Sequence, residues 1–335
     1  MPLKALMAVF GLLLGFTASA ARAALDADLS RPDVDGPTPV QLGLYLVDLH
    51  DIFGSEQAFL ADVVMKAEWQ DPRLAGQWSG VRGMPLNEVW NPRLQLVNQR
   101  GVSPALPQRV EVDSSGKVTY RQLFTGRFSA RMNFTDFPLD QHRFNIQLVT
   151  LGYSPAEVEL QFEGSGTRSG RAAQLSITDW VVGPARIARA DLEPSPGERP
   201  LAGAELWWEG RRNLAYPAVQ VILPLVLIVF MGWTALWPDP SAVPSRVSIA
   251  ITTMLTLIAY RFTLARSLPN LDYLTRMDYF MLASTILVFL VVLVVTLSSR
   301  FQGQGRKKLV EGIDRWALIA FPVLFTVVFA LAWWG

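Results

Sequence analysis

Six residues of graded polarity recur along one stretch of the chain: Ser248, Thr252, Leu255, Ala259, Phe262 and Arg266. Their spacing alternates between four and three, which keeps all six on one face of an α-helix. Hydroxyls stand at one end, apolar side chains in the middle and a cation at the other end. One such helix cannot enclose water, but a symmetric ring of them can. Rings of side chains and apolar constrictions are the usual means of selecting and gating ions. On this reading Ser248 and Thr252 line a narrow mouth, and Leu255 supplies an apolar ring that gates by dewetting. The competing reading is that each hydroxyl bonds its own helix backbone. Ile249, Ile251, Met254 and Ile258 are expected to pack on the opposite side.

The surrounding charges suggest what would pass. From Ser241 to Leu271 the charged residues are Arg246, Arg261 and Arg266, all positive. Cation pores use acidic rings, and none stands here, so an anion path is electrostatically simpler, with Arg246 at the inner end of the helix facing either the pore or neighbouring protein and cytosol. Other chemistry is excluded by composition. The 335 residues contain no cysteine and two histidines, His50 and His142, far apart. Thiolate sites and disulfides are therefore absent, and a histidine metal cluster is not expected; neither metal nor cofactor is implied. A net charge of +1 and a pI near 8.0 carry no nucleic-acid footprint. The carboxylates at Asp33, Asp35 and Glu157 to Glu163 read as solvated loop and strand faces, so no enzyme is expected.

These residues need elements to position them. Half the chain is hydrophobic, 18% is charged and the mean hydropathy is +0.25, a balance that assigns much of it to lipid. Residues 1–23 carry Lys4, an apolar run from Ala5 to Phe16 and the sequence Ala21-Arg22-Ala23, which reads as a signal peptide. Residues 24–214 alternate with period two: Phe124, Gly126, Phe128, Ala130, Met132 and Phe134, then Phe144, Ile146 and Leu148, then Val158, Leu160 and Phe162. Half-buried antiparallel strands with turns such as Ser114-Ser115-Gly116 predict an all-β, immunoglobulin-like sandwich outside the cytoplasm. Residues 215–335 predict four membrane helices at about 216–237, 245–267, 273–298 and 313–334, with a short cytoplasmic loop at 300–312. Arg300, Arg306, Lys307, Lys308 and Arg315 cluster at that connection, as the positive-inside rule requires.

Specific motifs then give a resemblance. Trp69-Gln70-Asp71-Pro72-Arg73-Leu74 matches a W-x-D-P-R-L strand and turn, and Trp90-Asn91-Pro92 a W-x-P motif followed by Arg93 in place of Asp. Phe137-Pro138-Leu139-Asp140 matches an F-P-x-D signature loop, with Ala130 and Phe144 where its two cysteines would stand. Pro224, Pro244-Ser245-Arg246-Val247, Ile251-Thr252-Thr253-Met254-Leu255-Thr256, Leu268-Pro269 and Tyr273 follow in order. In this sequence of motifs the chain resembles the pentameric ligand-gated ion channels, the Cys-loop receptor superfamily. It is similar to bacterial members in lacking the cysteines, and its pore helix resembles the glycine and GABA receptor branch.

The resemblance implies a homopentamer, each chain partnered by four identical subunits, membrane lipid and permeating ions, in a bacterial inner membrane with the N-terminal domain periplasmic. It implies that Ser248, Thr252, Leu255, Ala259 and Phe262 face the pore with Leu255 as gate. It implies that Pro244 and Ser245 replace the glutamate of cation-selective relatives, so that small anions such as chloride pass. Asp140 would meet Arg212 to couple the domains, with Pro138 and Pro269 in the coupling loops. Lys66, Val97, Leu151 and Tyr153 stand at the family's agonist positions. The stretch from Ala190 to Gly203 has no aromatic, so an aromatic amine cage is not expected; protons or another small ligand remain open. A cation-selective channel of the same fold and a non-conducting, membrane-anchored binding protein are the alternatives.

Overall fold

The computed structural model describes residues 29–33, 35–162, 169–265 and 273–334. The expected signal peptide, Arg266, Leu268 and Pro269 lie outside the described residues.

The N-terminal domain consists of strands β1 (Thr38–Phe53), β2 (Ala58–Gln70), β3 (Arg82–Pro85), β4 (Leu94–Leu96), β5 (Gln99–Pro104), β6 (Arg109–Val112), β7 (Lys117–Ser129), β8 (Gln141–Thr150), β9 (Val158–Gln161), β10 (Gly170–Arg171), β11 (Trp180–Val182), β12 (Arg186–Arg189) and β13 (Gly203–Arg212). One sheet has the order β10-β1-β2-β7-β6-β3, with β9 also on β1 and β5 on β7. The other runs β11-β13-β8-β4, with β12 on β13. Period two decides which residues close the gap between them. Ala61, Val63, Met65, Ala67 and Trp69 of β2 are buried, as are Phe144, Ile146 and Leu148 of β8. Phe59 lies at the centre, 5.5 Å from the Phe128 ring, 5.6 Å from Phe144 and 5.4 Å from Trp208. Ala130 and Phe144, at the two cysteine positions of the signature loop, are both buried. Phe144 adds contacts to Trp180 and Trp208; burying such a ring contributes about 2–3 kcal/mol.

The alternating run from Phe124 to Phe134 is not one strand. β7 stops at Ser129, although Ala130, Met132 and Phe134 continue the inward alternation. The Ala130 amide makes one last bond to the Gln57 carbonyl, just before β2 begins, and beyond it Asn133 folds a turn, its Oδ1 accepting from the Thr135 amide and hydroxyl.

The membrane domain has helices α1 (Leu223–Thr234), α2 (Val243–Ala265), α3 (Arg276–Gly303) and α4 (Lys307–Trp334). The last three are long and apolar enough to cross a membrane; a shorter apolar stretch, Ala218–Thr234, contains α1. A helical turn at Ala215–Pro217 and a π-helical stretch at Ala218–Ile222 precede α1. Pro224 lacks an N–H and cannot satisfy a carbonyl in the turn before it. The Tyr260 hydroxyl of α2 instead donates to the Val221 carbonyl at 2.8 Å and the Gln220 carbonyl at 3.3 Å. Helix α3 starts on a capping box, Thr275 with Asp278.

The expected cytoplasmic loop at 300–312 is largely helical: α3 continues to Gly303 and α4 begins at Lys307. Hydropathy marks where lipid ends, whereas Lys307, Lys308 and Glu311 are good helix formers that carry α4 beyond it. Helix α4 packs by its aromatic side, Phe325 lying 5.1 Å from Phe230 of α1 and Phe329 5.8 Å from Phe280 of α3.

Candidate pore and coupling site

Ser248, Thr252, Leu255, Ala259 and Phe262 all lie on the exposed face of α2, with Leu255 62% and Phe262 70% exposed in the single subunit. Pro244 and Ser245 lie exposed at the start of the same helix. The opposite face differs from the sequence expectation. Ile251 and Ile258 are exposed, and the buried line is Arg246, Ala250, Thr253 and Leu257. Steric fit explains this register: Thr253 Cγ2 lies 3.2 Å from where a Cβ on Gly232 would stand, and Val288 closes the same space at 3.5 Å. A small, buried hydroxyl residue therefore packs where an isoleucine would not.

The hydroxyls of α2 divide cleanly. Thr253, Thr256 and Thr263 each donate to the carbonyl four residues earlier, at 2.9, 2.8 and 3.3 Å. The side-chain hydroxyls of Ser248 and Thr252 form no hydrogen bond with the described residues, so they stay available to water or an ion. The backbone-bonding reading thus holds for one set of α2 hydroxyls and not for the stripe.

Arg246 is a correction. It is 1% exposed and turned into the subunit, so it does not line the mouth. Its guanidinium meets Asp314 of α4 through Nη1 at 2.8 Å and Nη2 at 2.9 Å, while Nε donates to the Ala235 carbonyl at 3.1 Å. Ser298 of α3 donates to Asp314 Oδ1 at 2.9 Å. The ends of four helices are thereby tied by one neutral network, because an unpaired guanidinium inside the bundle would be too costly. Asp239, between α1 and α2, accepts from the Ser241 side chain and amide, which hold its carboxyl below the usual range.

At the other end of the domain, β8, β13 and the segment between β7 and β8 assemble the residues expected to couple the domains. Arg212 Nε and Nη2 reach Asp140 Oδ1 and Oδ2 at 3.0 and 3.1 Å. Cation–π contacts hold the guanidinium further, its carbon 4.5 Å from the Trp180 ring centre and 5.2 Å from that of Phe137. Sequence reasoning missed His142, whose Nε2 lies 2.7 Å from Asp140 Oδ2. Its signal was local: two positions after Asp140 on a strand, it shares that residue's face. Burial opposes the charged form of Asp140, but hydrogen bonds from His142 and Arg212 and their charge hold its carboxyl below the usual range.

The loop carrying this cluster also touches the membrane domain. Pro138 is buried beside it, the Tyr273 hydroxyl accepts from the Phe134 amide at 3.0 Å, and Arg276 Nε reaches Asp136 Oδ1 at 2.7 Å. Phe137 packs against the hydrophobic cores of both domains.

The agonist-position residues are not gathered within one subunit. Leu151 and Tyr153 share the turn after β8; Tyr153 Oη accepts from Trp90 Nε1 at 3.0 Å, and Arg93 lies 5.9 Å from its ring centre. Val97 lies exposed in the β4–β5 connection. Lys66 stands on the other sheet, 3.0 Å from Glu68 Oε1, so it is already held by a carboxylate.

Residues 27–181 match the family described as neurotransmitter-gated ion-channel ligand binding domain, and residues 221–311 match the neurotransmitter-gated ion-channel transmembrane region. A relative described as a proton-gated ion channel, from Gloeobacter violaceus, is 24% identical over 318 residues, spanning 91% of this chain and 86% of that protein. With its β sandwich, four-helix membrane region and both halves matched, the chain belongs to the pentameric ligand-gated ion channels, among the members that lack the paired cysteines.

Proposed function

We propose that five copies of this chain form an anion channel in a bacterial inner membrane, opened by protons or a small ligand on the periplasmic side. The observation that carries the conduction path is the pair of uncommitted hydroxyls, Ser248 and Thr252, on the exposed face of α2. Leu255 is the gate above them, and Ala259 and Phe262 continue the lining. Selectivity rests on Pro244 and Ser245 and on the absence of any carboxylate in α2, with the Arg246 charge cancelled by Asp314. The name of the Gloeobacter relative supports protons as the stimulus. So does the placement of a histidine, His142, against Asp140 and Arg212 at the domain junction.

The test is current through liposomes containing the purified chain, under a chloride gradient and a stepwise fall in external pH. Anion conduction moves the reversal potential toward the chloride equilibrium value, and Leu255→Ala raises current at neutral pH. A reversal potential that follows the cation gradient removes the selectivity reading. Current unaltered by Leu255→Ala removes the gate.

A further inference from the structure

A second site lies in the β sandwich, away from the residues at the agonist positions. Gln57 of the β1–β2 turn, Asn98 and Arg100 of the β4–β5 region, Ser129, Ala130 and Arg131 at and after the end of β7, and three residues of β8 line an open cavity of about 630 Å³. Its size falls within the roughly 300–1,000 Å³ of small-molecule pockets, but its walls are not the apolar walls usual there. Ala130 is the one apolar lining residue, and no carboxylate lines the cavity.

Three arginines reach it: Arg100, Arg131 and Arg143. Their existing partners leave a positive excess. Arg143 pairs with Glu205 and stacks 4.2 Å from the Trp207 ring centre. Arg100 Nη1 meets a neutral carbonyl, that of Glu56, at 2.8 Å, because the Glu56 carboxylate is taken by Arg127 at 2.6 Å. Arg131 has no hydrogen bond or ion pair with the described residues. The floor is fixed in advance. Asn98 Nδ2 spans the carbonyls of Ser129 and Asn145 at 2.9 and 2.8 Å, and its Oδ1 accepts from the Gln147 amide at 3.0 Å. The two sheets are thus pinned together beneath the cationic rim, which lowers the ordering cost of binding.

We propose that this cavity binds a small molecule bearing two carboxylates, held between Arg100 and Arg131. Guanidinium forks match planar carboxylates with two parallel bonds, which a spherical chloride cannot use. The side-chain amides of Gln57 and Gln147, without a partner among the described residues, are suited to the uncharged middle of the molecule. Binding here is independent of whether the channel conducts, since it is read without current.

Succinate, titrated calorimetrically into the full-length protein in detergent, is the probe, with uncharged succinamide as control. Saturable heat with succinate and none with succinamide is expected. Arg131→Gln and Arg100→Gln should each weaken binding about tenfold or more, whereas Arg109→Gln, on exposed β6, should leave it unchanged. Three results overturn the proposal: no saturable heat, a succinate affinity that survives Arg100→Gln/Arg131→Gln, or dissociation of the oligomer by Arg131→Gln. The last assigns the cavity to a carboxylate of a neighbouring subunit.

Discussion

The burial of Arg246 separates stability from ion selection, and Asp314→Asn tests the separation. The variant leaves a guanidinium inside the bundle without its counter-charge. Two contacts of 2.8 and 2.9 Å join the pair; near an effective dielectric of 20, charges about 4 Å apart attract by roughly 4 kcal/mol. Removing one partner of such a pair generally costs about 3–5 kcal/mol, because the remaining charge stays desolvated. The Ala235 carbonyl and Ser298 hydroxyl remain but do not offset a full charge. Asp314→Asn oligomers are therefore expected to melt markedly earlier when heated and followed by size-exclusion chromatography. Arg246→Met/Asp314→Leu removes both charges together and should recover most of the loss, since apolar replacement of a buried pair is often close to neutral. The double variant should keep the parental reversal potential across a KCl gradient, because it is as neutral as the pair it replaces and lies away from the exposed side of α2. A shifted reversal potential in the double variant, with unaltered melting, would falsify the placement and return the Arg246 charge to the ion path.

Other consequences follow from the same geometry. The Asp140 carboxyl is held below its unfolded value, so its contribution is complete above a pH of about 3.9 and disappears as pH falls through the lower folded value. Thermal melts against pH should show that acid-side loss in the parent and a blunted one in Asp140→Asn, whose oligomers should assemble but open poorly. Thr253→Ala should lower stability with little effect on conductance, whereas Ser248→Ala and Thr252→Ala should alter single-channel conductance with little effect on melting. Gly203→Ala is expected to destabilise the sandwich by about 1–3 kcal/mol, as its new Cβ would lie 2.1 Å from the Ala190 carbonyl oxygen; equal melting temperatures would count against that contact.

How far the sequence was legible depends on whether the deciding partner was near in the chain. Period two predicted the inward faces of β7 and β8, because alternation is a property of each strand alone. It could not place the end of β7: the loop after Ser129 keeps the same alternation, and β7 runs out of partner where β2 begins at Ala58, far back in the chain. The exposed stripe of α2 was likewise readable from spacing. Its packed face was not, because Thr252 and Thr253 are chemically identical neighbours with opposite fates. What separates them is Gly232 on α1 and Val288 on α3, which leave room for one small side chain at that height. Arg246 makes the same point for charge. Read within its own helix it is a cation at an ion-path mouth, but its counter-charge is supplied by Asp314, 68 residues away. Local charge counting therefore overstated the positive potential at the mouth. The anion assignment consequently rests on what α2 omits, a carboxylate beside Pro244 and Ser245, and an introduced Ser245→Glu is the change that should reverse it.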